Sequence, residues 1–235
     1  MLNIYIVHYT KLKDRKEFMD YQLSFRGHAR DGVKYINKFD QEDLTDEIIE
    51  SFYERSPSEY KRKAEGLWNR SDSEYRELNL SEISCTIKHF EALKEASQLK
   101  NNSLILEDDC CFSDTFFPEL KNMMKNLPKD WDVVFLGSGC GNWFQRIKLN
   151  NSEEVKKNIF KVNHPATNCA ECYLVNPKSA HKIYNNAFPF HMVSDWELAY
   201  IFYKLNMNIY WLYPSIAEQG SKNGMYKSTL DLGQR

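Results

Sequence analysis

A chain of 235 residues is long enough to bury a continuous core and short enough to be read as one domain. Its 31 basic and 33 acidic side chains leave a net charge of -2, without the basic field that nucleic acid or an anionic membrane demands. No run approaches the roughly 18 apolar residues that span a bilayer, so no transmembrane segment is expected. The opening run Met1 to Tyr9 lacks a basic leader and a small-residue cleavage site. It reads as a buried strand and not as a signal peptide, with cytosolic residence as the expectation.

Asn3 to His8 is β-rich and apolar on both faces, as an inner parallel strand is. Asp14 to Phe25 has helical spacing of Phe18, Tyr21, Leu23 and Phe25, and Val33 to Phe39 reads as a second strand. A strand–helix–strand opening marks an α/β sheet. The segment 40–79 is rich in Glu, Lys, Arg, Ser and Tyr, and reads as short amphipathic helices or a variable excursion outside the core. From Ser81, taken as the N-cap, the stripe Ile83, Ile87, Phe90 and Leu93 predicts a helix to about Leu99.

Ser103 to Leu106 is a short buried strand that runs into Glu107-Asp108-Asp109. A helix over Asp114 to Met124 follows, then a strand over Trp131 to Leu136 ending in Gly137-Ser138-Gly139. Further on come a strand (Ala170 to Val175), helices (Lys178 to Asn186 and Asp195 to Leu205) and a strand (Ile209 to Leu212). Residues 215–235 read as a loop or tail. The economical architecture is an α/β/α sandwich on a mixed, mainly parallel sheet, forming a single domain over 1–235. The six cysteines are expected as free thiols; Cys169 and Cys172 have zinc-ligand spacing, but no second pair completes such a site.

The acidic strand end carries the chemistry. Ligands of open α/β sheets gather beyond the carboxyl ends of strands, and three consecutive carboxylates repel one another unless a cation neutralises them. Side chains two apart on a strand share a face, which puts Glu107 and Asp109 together and Asp108 opposite. Such a pair suits a hard Mg²⁺ or Mn²⁺ completed by phosphate oxygens and water. The plain alternative is a solvated acidic turn.

Taken in order, several segments resemble glycosyltransferase family 25. Ile4 to Arg15 is similar to the family's opening strand and its arginine-bearing turn. Leu80-Ser81-Glu82-Ile83-Ser84-Cys85 with His89 resembles its Gly-Glu-Ile-Gly-Cys-x-x-Ser-His motif, and Leu104 to Asp109 matches Leu-Ile-Leu-Glu-Asp-Asp. Asp130 to Gly137, Thr167 to Ala180, Asp195-Trp196 and Pro214 with Gln219 and Ser221 continue the pattern. Serines replace both motif glycines, and Lys88 stands where the motif has serine.

The resemblance implies a GT-A fold, a UDP-sugar donor, a divalent ion (Mn²⁺, or Mg²⁺) and inverting transfer of a hexose to a glycan or glycoconjugate acceptor. On that reading Asp109 binds the metal with Glu107, and Gln219 stands near the C-terminus as a further ligand. Arg15, Glu107, Asp108 and His89 face the nucleotide-sugar. Asp195 is the general base or else caps its helix, with Glu171 in reserve. Arg15 has a salt bridge as its alternative, His89 an interior packing role. His164 and His191 have no evident partner in the sequence, and Trp143, Trp196 and Trp211 are candidates to stack on a sugar. Two other functions compete. A phosphohydrolase would need an Asp nucleophile where Glu107 stands, and a degenerate domain would bind carbohydrate without turnover.

Overall fold

The computed structural model describes residues 2–27, 32–68, 75–139, 152–165 and 169–228. Its main sheet has eight strands in the order β2 (Val33–Ile36), β1 (Asn3–Val7), β3 (Ser103–Glu107), β8 (Cys172–Val175), β5 (Val133–Phe135), β9 (Ile209–Leu212), β7 (Ile159–Val162) and β6 (Glu153–Lys156). β1 lies parallel to β2 and β3, and β5 parallel to β9. β8 runs antiparallel between β3 and β5. β6 and β7 form a hairpin, turning at Asn158 (φ 67°), that antiparallel pairing fixes to β9. The expected mixed sheet is thus present, with parallel pairings in β2–β1–β3 and again in β5–β9.

Alternation along the strands sends side chains to two cores, which makes the fold an α/β/α sandwich. On one face Tyr5, Val7, Ile105, Phe135, Tyr173 and Trp211 pack under α4 (Leu80–Ser97), α6 (Pro177–Tyr184) and α7 (Ser194–Lys204). On the other, Ile4, Ile6, Leu104, Leu106 and Leu174 pack under Met19 and Leu23 of α1 (Lys13–Phe25) and Phe116, Leu120 and Met123 of α5 (Phe116–Asn126). Trp211 is fully buried and its indole N–H donates to the carbonyl of Gly137 at 2.9 Å. It is therefore core, and the expectation of a sugar-stacking role is corrected. Trp143 lies outside the described residues.

α4 starts earlier than Ser81. Asn79 is its N-cap: the Asn79 side chain accepts from Glu82 N at 3.0 Å, and the Glu82 carboxylate accepts from Asn79 N at 3.0 Å. This reciprocal box satisfies two helix-end donors, which a serine cap at 81 would not.

The described residues of this segment, 40–68 and 75–79, are not outside the core. Ile49 of α2 (Asp46–Phe52) and Tyr53 just after it enter the first core, while Lys63 of α3 (Pro57–Trp68) and Asp40 tie the segment to α7 and α4 with buried ion pairs. Lys63 donates to Glu197 and lies 2.7 Å from His191 Nδ1, so His191 has a partner that no local spacing announced. The Lys88 ammonium donates to Asp40 and to the His8 carbonyl at 2.8 Å, while Ser84 donates to the Phe39 carbonyl at 2.6 Å. Removing one member strands the other charge. Lys88→Met is expected to lower the unfolding free energy in urea by about 3 kcal/mol or more, and a companion Asp40→Asn change to restore part of it. An unchanged midpoint would mean that the pair contributes nothing net.

Residues 215–228 are likewise structured, contrary to the loop or tail expected from their composition. β10 (Ala217–Gln219) pairs antiparallel with β4 (Cys110–Phe112) in a separate two-stranded sheet, and the short α8 (Gly220–Asn223) follows. This places the C-terminal segment over the end of β3.

Candidate active site

β3 ends at Glu107, and 108–109 form a turn into β4. The relative placing of Glu107 and Asp109 therefore comes from that turn and not from strand alternation. Because Val7 lies opposite Glu107 in the parallel register, the next residue of β1's exit, His8, meets Asp108. Asp108 accepts from Tyr9 N at 3.2 Å and from Arg15 Nη1 at 2.9 Å, and its other contact is His8 Nδ1 at 2.8 Å. Arg15 also donates to the Lys227 carbonyl at 2.7 Å and lies over the Tyr226 ring. At 5% exposure it is a buried clamp between the acidic turn and the C-terminal segment. It thus makes an ion pair as the plain reading allowed, but across 93 residues.

That segment supplies the opposite wall. Gly220 N donates to the Asp109 carbonyl at 2.8 Å, and Ser221 N to the Asp109 carboxylate at 3.1 Å. A Cβ on Gly220 would stand 2.8 Å from the Asp109 carbonyl oxygen and 2.7 Å from the Tyr226 ring, so only glycine permits this approach. Gln219 donates through Nε2 to Glu107 at 3.0 Å. Gln219, which the resemblance offers as a further ligand, reaches the acidic cluster.

The cluster is electrostatically loaded. Burial, then the neighbouring Asp109, Asp195 and Asp108, push the Glu107 carboxyl well above its usual range. Burial likewise raises Asp109, against the opposing pull of the Ser221 hydrogen bond and of Arg15. Asp109 Oδ1 and Gln219 Oε1 are buried and accept no hydrogen bond among the described residues. Each such orphan costs about 1–3 kcal/mol. Two orphaned oxygens near a repelling carboxylate pair offer the oxygen donors that a hard divalent cation takes.

Behind Glu107, from α4, comes His89, fully buried, with Nε2 at 3.3 Å from Glu107 and Nδ1 at 3.4 Å from the Tyr173 hydroxyl. Burial lowers its pKa to about 4, so it is neutral. Asp195 sits in the first turn of α7, whose N-cap is Val193, so it is not the cap. Its Oδ2 accepts from Cys169 N at 2.6 Å and its Oδ1 from Trp196 N at 2.9 Å. Burial nonetheless raises its pKa.

Glu171 is 1% exposed, its carboxylate accepting from Gly139 N at 2.9 Å. It is pressed so closely on Gly137 that a Cβ there would stand 2.1 Å from Glu171 Oε1. It is sealed off from an acceptor. Burial raises it to about 7. A carboxyl raised in the folded state stabilises below its unfolded pKa, and that stability is lost as pH rises through about 7. Glu171→Gln, which keeps the acceptor, is expected to flatten this decline and to raise stability at pH 8 in chelator. Parallel pH–stability curves for the two proteins would contradict it.

Other expectations resolve differently. Cys169 is disulfide-bonded, which corrects the expectation of free thiols there. Cys172 is buried against Cys110. His164 lies near the Tyr203 ring, away from the acidic end. Trp196 packs beside Met192 and Tyr200. The sequence assigns no role to His8, Asp40 or Tyr226 and marks Lys88 only as a departure from the motif; the in-register pairing of β1 with β3 is what signals His8. Two cavities among the described residues lie elsewhere. One, about 580 Å³, is lined by Asp46, Ile49, Tyr53 and Arg55, and the other, about 300 Å³, by Asn102, Asp130, Asp132 and Ser179.

The model of a family described as Glycosyltransferase family 25 (LPS biosynthesis protein) matches residues 1–197. The match takes in the acidic turn, His89 and Asp195, while β9, β10 and Gln219 lie beyond it. Among solved structures, mouse xyloside xylosyltransferase 1 in its apo form is similar over 88% of this chain and 71% of its own. The identity is 11% and the TM-score 0.36. No curated protein matches the chain.

Proposed function

The chain belongs to glycosyltransferase family 25, and glycosyl transfer is its reaction class; from that premise we propose an inverting, metal-dependent hexosyltransferase with a GT-A-type donor site. The donor would be a UDP-sugar, with galactose or glucose as the hexose, and the acceptor a hydroxyl of a glycan or glycoconjugate. The observation that carries this reading is the all-oxygen set of Glu107, Asp109 and Gln219 with its two orphaned acceptors.

A divalent ion, Mn²⁺ or Mg²⁺, held by Asp109, Glu107 and Gln219 would supply the positive charge that a departing diphosphate needs. The chain's own residues do the rest. Arg15 and His8 fix Asp108 at the nucleotide side, and His89, neutral and buried, backs Glu107 without adding charge. Asp195 takes the acceptor proton as the acceptor oxygen bonds the anomeric carbon and the carbon–phosphate-oxygen bond breaks. Two backbone N–H groups aim its carboxylate, while burial keeps it more basic than a surface aspartate. Ser84 and Lys88, which depart from the family motif, both have structural partners, so these departures do not call for the degenerate-module reading.

The test is a panel of UDP-sugars with and without Mn²⁺, read as released UDP in the presence of hydroxyl acceptors. Metal-dependent release from one sugar is expected. No release from any donor, with no UDP binding by calorimetry, would overturn the proposal.

A further inference from the structure

We propose that Cys85, His89 and Glu107 form a binding site for a soft divalent cation of the Zn²⁺ class, distinct in donor chemistry from the all-oxygen set of Glu107, Asp109 and Gln219. Cys85 and His89 are four apart on α4 and so share one side of the helix, facing the end of β3 where Glu107 stands. A sulfur, an imidazole nitrogen and a carboxylate oxygen of the three all lie within 4.8 Å of one another. His89 Nε2 and Glu107 Oε1 are already 3.3 Å apart, close to the ~3.4 Å edge of a tetrahedron built from zinc bonds of about 2.1 Å.

The surroundings are those of a ligand set. Metal-binding histidines ordinarily engage their second ring nitrogen, and ligating carboxylates are held by outer hydrogen bonds. Here His89 Nδ1 faces the Tyr173 hydroxyl, Gln219 donates to the other Glu107 oxygen, and Ser194 lies in hydrogen-bonding contact with the Cys85 thiol. His89 is closed off, but Cys85 and Glu107 are only partly buried, which leaves an approach for the ion. Three protein ligands leave a fourth position for water. Thiolate and imidazole select Zn²⁺ over Mg²⁺ and Mn²⁺, and binding would release the thiol proton to solvent. Glu107 belongs to both sets, so occupancy by Zn²⁺ would withdraw it from the hard-ion set. That consequence alone rests on the transferase reading.

The experiment is titration of the full chain with Co²⁺, read by thiolate-to-metal charge-transfer absorption, and with Zn²⁺ by calorimetry. One tightly bound ion with a thiolate band is expected. Cys85→Ser should lose the band and weaken Zn²⁺ by about 10²-fold, and His89→Asn should weaken it comparably. Asp109→Asn should keep the band while losing Mn²⁺-dependent UDP binding. Circular dichroism and thermal unfolding confirm that each variant is folded, and Cys85→Ser, the mildest, decides the matter. No band in the wild type, or a band that survives in folded Cys85→Ser, overturns the site. A wild-type band without any UDP binding would leave this site standing and remove the donor reading.

Discussion

Replacing Asp109 by alanine is expected to abolish Mn²⁺-dependent UDP binding in calorimetry and to cut turnover by roughly 10³-fold or more, the several kcal/mol that a bound cation contributes. The fold should survive. Among the described residues the Asp109 carboxylate is held by Ser221, through its N at 3.1 Å and its side chain, and by a 4.0 Å approach to Arg15, while the backbone contact from Gly220 to the Asp109 carbonyl does not involve the side chain. Each such hydrogen bond lost costs about 1 kcal/mol. Part of that returns, because the variant no longer buries a carboxylate beside Glu107 and Asp108. Thermal unfolding thus separates the two effects: near-native stability with no metal-dependent binding is the expected pair. A stable variant that binds UDP with Mn²⁺ as the wild type does would remove Asp109 from the metal set.

How far the sequence could lead to this site depends on the range of the contacts. Periodicity announces β1, β3, α4 and α7, and the adjacent acids at 107–109 stand out at a strand end without any structural help. What it misses joins distant residues. Lys88 meets Asp40 across 48 positions, Lys63 meets Glu197 across 134, and Arg15 meets the Lys227 carbonyl across 212. No local spacing encodes such pairs. The segments that hold them, 40–79 and 215–228, are polar, and polar composition reads as loop when the partners are unseen. The same blindness explains the N-cap. Ser81 looked sufficient by type, but Asn79 with Glu82 closes both ends of a capping box, and Arg76 holds Glu82 with two bonds of 2.6 and 2.7 Å. His8 is an intermediate case: nothing in its neighbours marks it, yet a parallel in-register pairing of β1 with β3 places it opposite Asp108.

Asp195→Asn is expected to leave Mn²⁺-dependent UDP binding intact and to lower transfer by about 10²-fold or more, the scale of losing a positioned base. The substitution is nearly isosteric, and an asparagine carbonyl can still accept from Cys169 N or Trp196 N. Val193 is the N-cap of α7, and the first-turn donor that this carboxylate satisfies, Trp196 N, can be accepted by the asparagine carbonyl in its place. The pH profile supplies a readout that a structural role would not move. Burial raises the Asp195 pKa, so wild-type kcat/KM should fall as pH drops through that raised value and the base becomes protonated. The variant's residual rate should lack this acid limb. Glu171 cannot substitute, since its carboxylate is sealed against Gly137 and bound to Gly139 N. Wild-type turnover in Asp195→Asn, or an acid limb unchanged in the variant, would mean that the proton leaves by another route.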